Sequence, residues 1–164
     1  MTTDRERTIR WEDPLANLET VREHSGLEIL NALRNGSLPA PPFLMLLGIR
    51  FVDVAQGRAV FEADPAEYHY NPAGVVHGGF AMALLDSALG CAVWSTLPPG
   101  SAYGTIDVHV RLLRPITKDT GTVRCEGQVV SATRTLATAE GRIVDANGKL
   151  LATGTTACAI HGCR

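Results

Sequence analysis

The stretch from Gly78 to Trp94 constrains the fold more than any other part of the sequence. It is apolar on nearly every side of a helical projection, and it ends before the Leu-Pro-Pro-Gly segment at 97–100, through which no helix continues. A helix that is apolar on all sides belongs inside a core or between subunits. Its one charged residue, Asp86, is therefore anomalous, because a buried carboxylate is costly unless it has hydrogen-bond partners or a chemical task.

Gly78 and Gly79 stand at the start of this helix, where backbone N–H groups have no partner within the helix. The helix dipole there favours an oxygen that gains negative charge. Asp86 follows roughly 12 Å further along the axis, too far for both groups of one chain to reach the same carbonyl. If both act on one substrate, they come from different copies across a symmetric interface. A tight turn into the helix would also explain the two glycines.

Residues 71–79 carry the pattern Asn-x-x-Gly-x-x-His-Gly-Gly, and Asp86 follows seven residues after the second glycine. This pattern resembles the hotdog-fold acyl-CoA thioesterases of the phenylacetate-pathway (PaaI-like) type. The resemblance extends from about Leu47 to Ile160 and is most specific between Asn71 and Asp86. It implies hydrolysis of an acyl-CoA thioester to a free acid and coenzyme A.

Strand-like stretches lie on both sides of the helix. They cover residues 49–54, 58–63, 103–113, 122–132, 135–145 and 149–160. An Asn-Gly turn at 147–148 joins the last two. Two strands, a long helix and four strands predict an α+β fold, with one antiparallel six-stranded sheet wrapped around a long central helix. In the resembled family this is the hotdog fold, whose dimers join sheets edge to edge and so remove an unpaired outer strand.

The sequence predicts three parts: an N-terminal helical extension and connector at 1–42, the hotdog domain at 43–160, and a C-terminal tail at 161–164. In the extension, Asp13-Pro14 predicts a helix start, Gly26 a break and Asn35-Gly36 an end. Prolines up to residue 42 predict a stiff connector, and Phe43–Gly48 reads as a short apolar turn. The extension is amphipathic, so packing against the domain or a neighbouring subunit is favoured. A DNA-reading helix pair is less favoured, because the segment carries as many acidic as basic residues.

Composition narrows the class of protein. With 164 residues, 45% hydrophobic content and a net charge of −2, the chain suits one domain with a sizeable core and lacks the basic run that nucleic-acid binding needs. It has neither a membrane-length apolar run nor a signal-like N-terminus, which predicts a cytoplasmic protein without a membrane partner.

The four cysteines are Cys91, Cys125, Cys158 and Cys163, and none forms a Cys-x-x-Cys pair. Buried free thiols are the favoured interpretation. Cys158, His161 and Cys163 lie close together in sequence but make only a weak case for a metal. No metal or organic cofactor is expected.

Five residues are candidates for catalysis. The resemblance gives Asp86 the role of nucleophile or general base and the Gly78 amide the role of oxyanion donor. It gives His77, Asn71 and Thr105 the task of positioning substrate or water. Structural roles compete with each of these: a capping carboxylate, a turn glycine, a hydrogen-bonded loop histidine, an Asn-Pro turn and a strand threonine.

A further set of residues is predicted to bind substrate. The set comprises Gly79, Tyr68, Tyr70, Phe80, Met82, Arg111, Arg114 and Arg134. The aromatic and apolar members suit an aromatic or medium aliphatic acyl group, and the arginines suit the phosphates of coenzyme A. Capping of the core and ordinary solvated charge are the competing explanations.

The sequence thus predicts a homodimeric or homotetrameric acyl-CoA thioesterase. A hotdog hydratase or dehydratase acting on acyl-CoA ranks lower, because its differently spaced Asp/His pair is absent. A non-catalytic acyl-CoA-binding module is the non-enzyme alternative. No Ser-His-Asp ordering or Gly-x-Ser-x-Gly elbow is present, so a serine acyl-enzyme is not expected.

Overall fold

A computed structural model describes residues 4–162. Six strands form one antiparallel sheet in the spatial order β1-β2-β4-β5-β6-β3. The strands are β1 (Ile49–Ala55), β2 (Arg58–Ala63), β3 (Ser101–Leu112), β4 (Val123–Ala132), β5 (Leu136–Val144) and β6 (Leu150–Gly162). The helices are α1 (Leu18–Glu23), α2 (Gly26–Asn35), α3 (Pro42–Leu47) and α4 (Gly78–Trp94). The predicted fold is confirmed: the sheet curves around α4.

The central helix has the bounds that the sequence predicts. His77 is its N-cap, and the Nδ1 atom of that side chain accepts a 2.9 Å hydrogen bond from Gly79 N. The helix ends at Trp94, shortly before Pro98 and Pro99. Local turn and breaker signals therefore determine both ends.

Three glycines allow α4 to lie close against the sheet. Gly127, Gly141 and Gly154 are direct cross-strand neighbours on β4, β5 and β6. A Cβ at Gly127 would lie 2.5 Å from the carbonyl oxygen of Ala88, and one at Gly154 would lie 3.2 Å from Leu85 Cδ1. Because these three glycines have no side chains, the backbone of α4 lies directly against the backbone of the sheet. The buried apolar residues pack around this helix–sheet contact.

The N-terminal helices differ in part from the prediction. Asp13 does not start a helix, because its Oδ1 accepts from Leu15 N in a local turn and α1 begins only at Leu18. The predicted break at Gly26 is a new helix start: Ser25 and Glu28 form a capping box. The predicted end is confirmed, since Gly36 has a left-handed φ of 80° directly after α2.

Residues 43–48 also differ from the prediction, because most of them form α3 rather than a turn. Pro42 occupies the first helical position, where its missing N–H costs no hydrogen bond, and Gly48 ends the helix at a φ of 65°. At the other end of the chain, β6 continues to Gly162, paired with Ser101. The last strand therefore includes the first two residues of the predicted tail. The suggested metal group includes Cys163, which lies outside the described residues.

Candidate active site

One stripe of α4 is left open by the sheet. Gly79, Met82 and Asp86 are exposed along it, and Ser87, Cys91 and Trp94 continue it as half-buried residues. Within each of these two groups the positions are three or four residues apart, and the groups lie on neighbouring sides of the helix. Of the two predicted locations, the single chain therefore does not enclose α4 on all sides in its core, and Asp86 lies on the uncovered side.

Asp86 is paired with a residue of the edge strand. The hydroxyl of Thr105 on β3 donates a 3.1 Å hydrogen bond to Oδ1 of Asp86. The β3 register shifts between Thr105 and Asp107, and such bulges re-aim side chains. The pairing that the sequence suggested as a site for a nucleophilic water is thus present as a direct contact.

The groups next to this pair are held neutral. Burial, reinforced by the nearby Asp86 carboxylate, raises the pKa of the Cys91 thiol to about 12. Burial also holds the pKa of the Tyr103 hydroxyl well above its ordinary value. Neither side chain therefore supplies a second anion close to Asp86 near neutral pH.

Asp86 and Thr105 border a mainly apolar cavity of about 710 Å³. Its wall is formed by α2, α3, β1, the open stripe of α4 and the beginning of β3. The lining includes Leu30, Leu33, Phe43, Leu44, Met45, Phe51, Phe61, Cys91, Trp94 and Tyr103. Its volume lies in the range of about 300–1,000 Å³ that is usual for small-molecule sites.

The other charged group in this wall is neutralised. Arg50 lines the cavity, but its guanidinium forms a 2.6 Å ion pair with Asp64. That pairing lowers the pKa of the Asp64 carboxyl, with a smaller contribution from the Thr122 hydroxyl. Among the lining residues within the described chain, Asp86 is therefore the charged group without an ionic partner.

The loop before α4 presents a free backbone amide. Asn71 Oδ1 accepts from Ala73 N at 2.9 Å, so this side chain builds the turn. The N–H of Gly79 is taken by His77, whereas that of Gly78 has no hydrogen-bond partner among residues 4–162. A Cβ at Gly78 would lie 2.7 Å from Leu112 Cδ1 on β3. The free amide therefore lies at the far end of the same edge strand from Thr105.

The predicted aromatic and apolar binding residues are scattered. Tyr68 is exposed beneath the Arg7 guanidinium, whose carbon lies 4.1 Å from the ring centroid. The Tyr70 hydroxyl accepts a hydrogen bond from Lys118 N. Phe80 is buried in the core, and Met82 is exposed on the open stripe. None of Tyr68, Tyr70, Phe80 and Met82 lines the large cavity.

The three predicted arginines are also apart from one another. Arg111 lies with Glu126 and Glu140 in a shallow polar depression on the sheet. Arg114 donates to the Leu150 carbonyl, and Arg134 is exposed between β4 and β5. The single chain therefore does not assemble them into one phosphate site.

Sequence reasoning missed the cavity wall that α2 and α3 supply. The available signal was the Leu27, Leu30 and Leu33 spacing together with the apolar run from Phe43 to Leu47. Amphipathic spacing predicts that a helix packs against something, but it does not identify which surface receives it.

Comparisons with known proteins agree with this fold. Residues 73–152 match the thioesterase superfamily. A Saccharolobus solfataricus protein named as an esterase is 30% identical over 111 residues, which cover 68% of this chain and 77% of that protein. The chain belongs to the thioesterase superfamily. The predicted family and enzyme class, a hotdog thioester hydrolase, are thereby confirmed.

Two further similar proteins extend the comparison. The 1,4-dihydroxy-2-naphthoyl-CoA hydrolase of Listeria monocytogenes is 25% identical over 105 residues, which cover 64% of this chain and 84% of that enzyme. The structure of a mutant of the phenylacetic acid degradation protein PaaI from Thermus thermophilus superposes with a TM-score of 0.66 at 29% identity. That alignment covers 73% of this chain and 98% of the PaaI chain.

None of the helices between residues 4 and 162 combines the length and apolar character that a bilayer span requires.

Proposed function

We propose that this thioesterase-superfamily protein is an acyl-CoA thioesterase whose active site is shared between two copies of the chain. The observation that carries the proposal is the Asp86–Thr105 pair at the border of an apolar cavity. The free amide of Gly78 lies two helical turns away, roughly 12 Å along α4. In a dimer, Asp86 of one protomer would face Gly78 of the other. A coenzyme A thioester as substrate is further supported by the name of the Listeria relative.

The edge strand β3 supports such a dimer. It forms one end of the sheet, and Ile106 and Leu112 are 59% and 51% exposed there. Leu113 and Met82, next to the same edge, are also exposed. A long apolar edge is an aggregation hazard unless another strand covers it. Pairing two β3 strands would cover it and extend the sheet across both protomers.

The reaction follows from these groups. The thioester carbonyl accepts a hydrogen bond from Gly78 N–H of one protomer, which stabilises the oxyanion as it forms. Asp86 of the other protomer removes a proton from a water molecule that Thr105 helps to hold. The water oxygen bonds to the carbonyl carbon, the C–S bond breaks, and the coenzyme A thiolate takes up a proton. Direct attack by Asp86 would instead form an anhydride that water then hydrolyses.

The remaining candidates have positioning roles in this proposal. His77 holds the loop by accepting from Gly79 N, which leaves the adjacent Gly78 amide as the unpaired one within residues 4–162. Asn71 shapes the turn that leads to it. Coenzyme A, the substrate's leaving group, is charged and requires cations at the entrance. Arg111, Arg114 and Arg134 are the proposed source, brought near the site by assembly of protomers.

Release of free thiol from a panel of acyl-CoA thioesters tests the activity. We expect turnover in the wild type and a loss of at least about 100-fold in Asp86→Ala, because the attack loses its base or nucleophile. Equal rates would remove Asp86 from the mechanism. Tight acyl-CoA binding without thiol release in the wild type would favour a binding module instead.

Mixing two inactive variants tests the sharing of the site. Asp86→Asn removes the acid, and Gly78→Pro removes the amide hydrogen at a helix position that tolerates proline. Random heterodimers contain one intact site if the two residues come from different chains. Activity should then recover to about a quarter of the wild-type value after co-refolding. No recovery, with heterodimers shown to form, would place both groups in one chain and contradict the proposal.

A further inference from the structure

The N-terminal extension and α3, the helix that follows it, form one side of the cavity that Asp86 borders. Leu30 and Leu33 of α2 line it, followed by Ala40 and Pro41 of the connector. Phe43, Leu44 and Met45 of α3 continue the same wall. All of these residues precede position 73, where the match to the thioesterase superfamily begins. The chemical groups of the site, Asp86 and Thr105, lie within the matched range, whereas this wall precedes it in the chain.

The opposite wall of the cavity carries the side chains proposed to act on the thioester. Asp86 and Thr105 lie there, on α4 and β3, beside Cys91, Trp94 and Tyr103. The cavity extends from the carboxylate toward apolar side chains of the extension. A thioester carbonyl near Asp86 would thus direct its acyl substituent toward α2 and α3.

The extension is firmly attached to the domain at α2. Gly26 N donates a 3.1 Å hydrogen bond to the Leu97 carbonyl. A Cβ at Gly26 would lie 1.9 Å from the Trp94 carbonyl oxygen, so the two helices are in direct backbone contact. Ile29 and Leu30 are buried at 2% and 1% exposure. This wall is therefore preformed rather than a loose flap.

The first residues of the extension hold α3 in place. The Arg7 guanidinium donates to the carbonyl oxygens of Leu46 at 2.7 Å and Met45 at 3.2 Å. The same guanidinium lies over the ring of Tyr68, which precedes the loop before α4. Arg7 thus links the C-terminal end of α3 to the segment that leads to Gly78.

We infer that the N-terminal extension, together with the adjoining helix α3, is the acyl-selecting wall of the active site, and that this wall admits an uncharged, apolar acyl group and limits its length. This inference rests on the proposed thioesterase function, because it assigns the substrate class of that site. An acyl chain fits better than a charged group: the one cation of the described lining, Arg50, is already bound to Asp64. A carboxylate-bearing acyl group would lose its hydration without gaining a partner.

Leu33 provides the sharpest test, and Leu27 is its matched control. Both are half-buried leucines of α2, but only Leu33 lines the cavity. We would measure kcat/KM for butyryl-, octanoyl- and dodecanoyl-CoA in Leu33→Trp, Leu33→Ala and Leu27→Ala. The dodecanoyl-to-butyryl ratio should fall at least about tenfold in Leu33→Trp, because a bulky side chain shortens the pocket. It should rise in Leu33→Ala and stay at the wild-type value in Leu27→Ala.

A binding measurement separates this inference from the proposed function. Calorimetric titration of dodecan-1-ol, an uncharged probe of the same chain length, into wild type and Leu33→Trp requires no turnover. If no thioester is hydrolysed but Leu33→Trp weakens this binding at least about tenfold, the proposed function fails and the acyl wall stands. If hydrolysis occurs but neither the length profile nor the binding changes in a folded Leu33→Trp, the inference is overturned. The inference would also be overturned if Leu33→Trp changed the oligomeric state but left the dependence of kcat/KM on acyl length unchanged. A second copy of the chain would then be what covers the cavity.

Discussion

The Thr105 hydroxyl donates a hydrogen bond of 3.1 Å to the Asp86 carboxylate, joining the edge strand of the sheet to the open face of the central helix. The pair lies where the apolar cavity meets the exposed edge of β3. A carboxylate in this position can reach water from the open side and a thioester from the cavity. Three predictions test this arrangement, and two test the fold that supports it.

Asp86→Asn should lower kcat by at least about 100-fold while leaving KM within a few-fold of the wild type. The amide keeps the shape and the hydrogen bond from Thr105 but cannot take a proton from water. Steady-state thiol release measures both parameters. An unchanged melting temperature would show that the loss is chemical, and a wild-type kcat in this variant would refute the role of Asp86.

Thr105→Val should lower kcat by roughly tenfold, since it replaces the hydroxyl with a methyl group of similar size and removes one hydrogen bond to the carboxylate. Thr105→Ser keeps the hydroxyl and should restore most of the rate. The decisive measurement is the ratio of kcat between the two variants. If serine and valine behave alike, the hydroxyl has no part in the reaction.

Gly78→Pro should lower kcat by about 100-fold or more, because proline lacks the backbone N–H that would donate a hydrogen bond to the oxyanion. The backbone permits the change: Gly78 is the first residue of α4, and His77 has φ −59° and ψ 136°, as a residue before proline prefers. Gly78→Ala is the control for bulk, since it brings the same Cβ toward Leu112 but keeps the N–H. We expect the Gly78→Ala variant to retain clearly more activity than the Gly78→Pro variant. Equal losses in the two variants would indicate a steric effect.

Gly127→Ala should reduce the free energy of unfolding by about 1–3 kcal/mol or more, because the new Cβ meets the Ala88 carbonyl, which is fixed backbone. Gly104→Ala is a control in β3, where the nearest atom to a new Cβ is His161 Nε2 at 3.7 Å. Chemical denaturation of both variants measures the difference. Equal stabilities would show that α4 does not require the close approach.

His69 should make the fold sensitive to acid. Its Nδ1 accepts from Ala66 N and its Nε2 donates to the Leu47 carbonyl, while its ring packs against Phe80 at a tilted angle. Burial lowers the pKa of this imidazole, and the nearby Arg7 charge acts in the same direction. The folded state therefore holds a neutral ring.

The unfolded chain binds a proton at His69 more readily than the folded one. Its contribution to stability is complete above the unfolded pKa of about 6.5 and is lost as the pH falls toward the lower folded value. Denaturation between pH 7.5 and 5 should show this loss. His69→Gln, which does not titrate, should flatten the part of the slope that belongs to this residue, and an unchanged slope would contradict the assignment.

Much of the architecture could be read from local sequence signals. Proline and glycine mark the ends of α4, and Asn147-Gly148 marks the last hairpin. The Asp13 error shows the limit of such signals, because an Asp-Pro pair suits a helix start and a local turn equally well. For the site, the family resemblance suggested that Thr105 acts near Asp86, and the structure places the two side chains in hydrogen-bond contact.

The sequence by itself determined the six strands, the central helix, their order and the presence of one acid in that apolar helix, since these depend on breakers and periodicity within short windows. Only the tertiary structure decided which face of α4 stays open, that Gly127, Gly141 and Gly154 align beneath it, and that the extension encloses the cavity. Those features bring together residues far apart in the chain. Their contacts depend on strand register and helix docking, which no local pattern encodes.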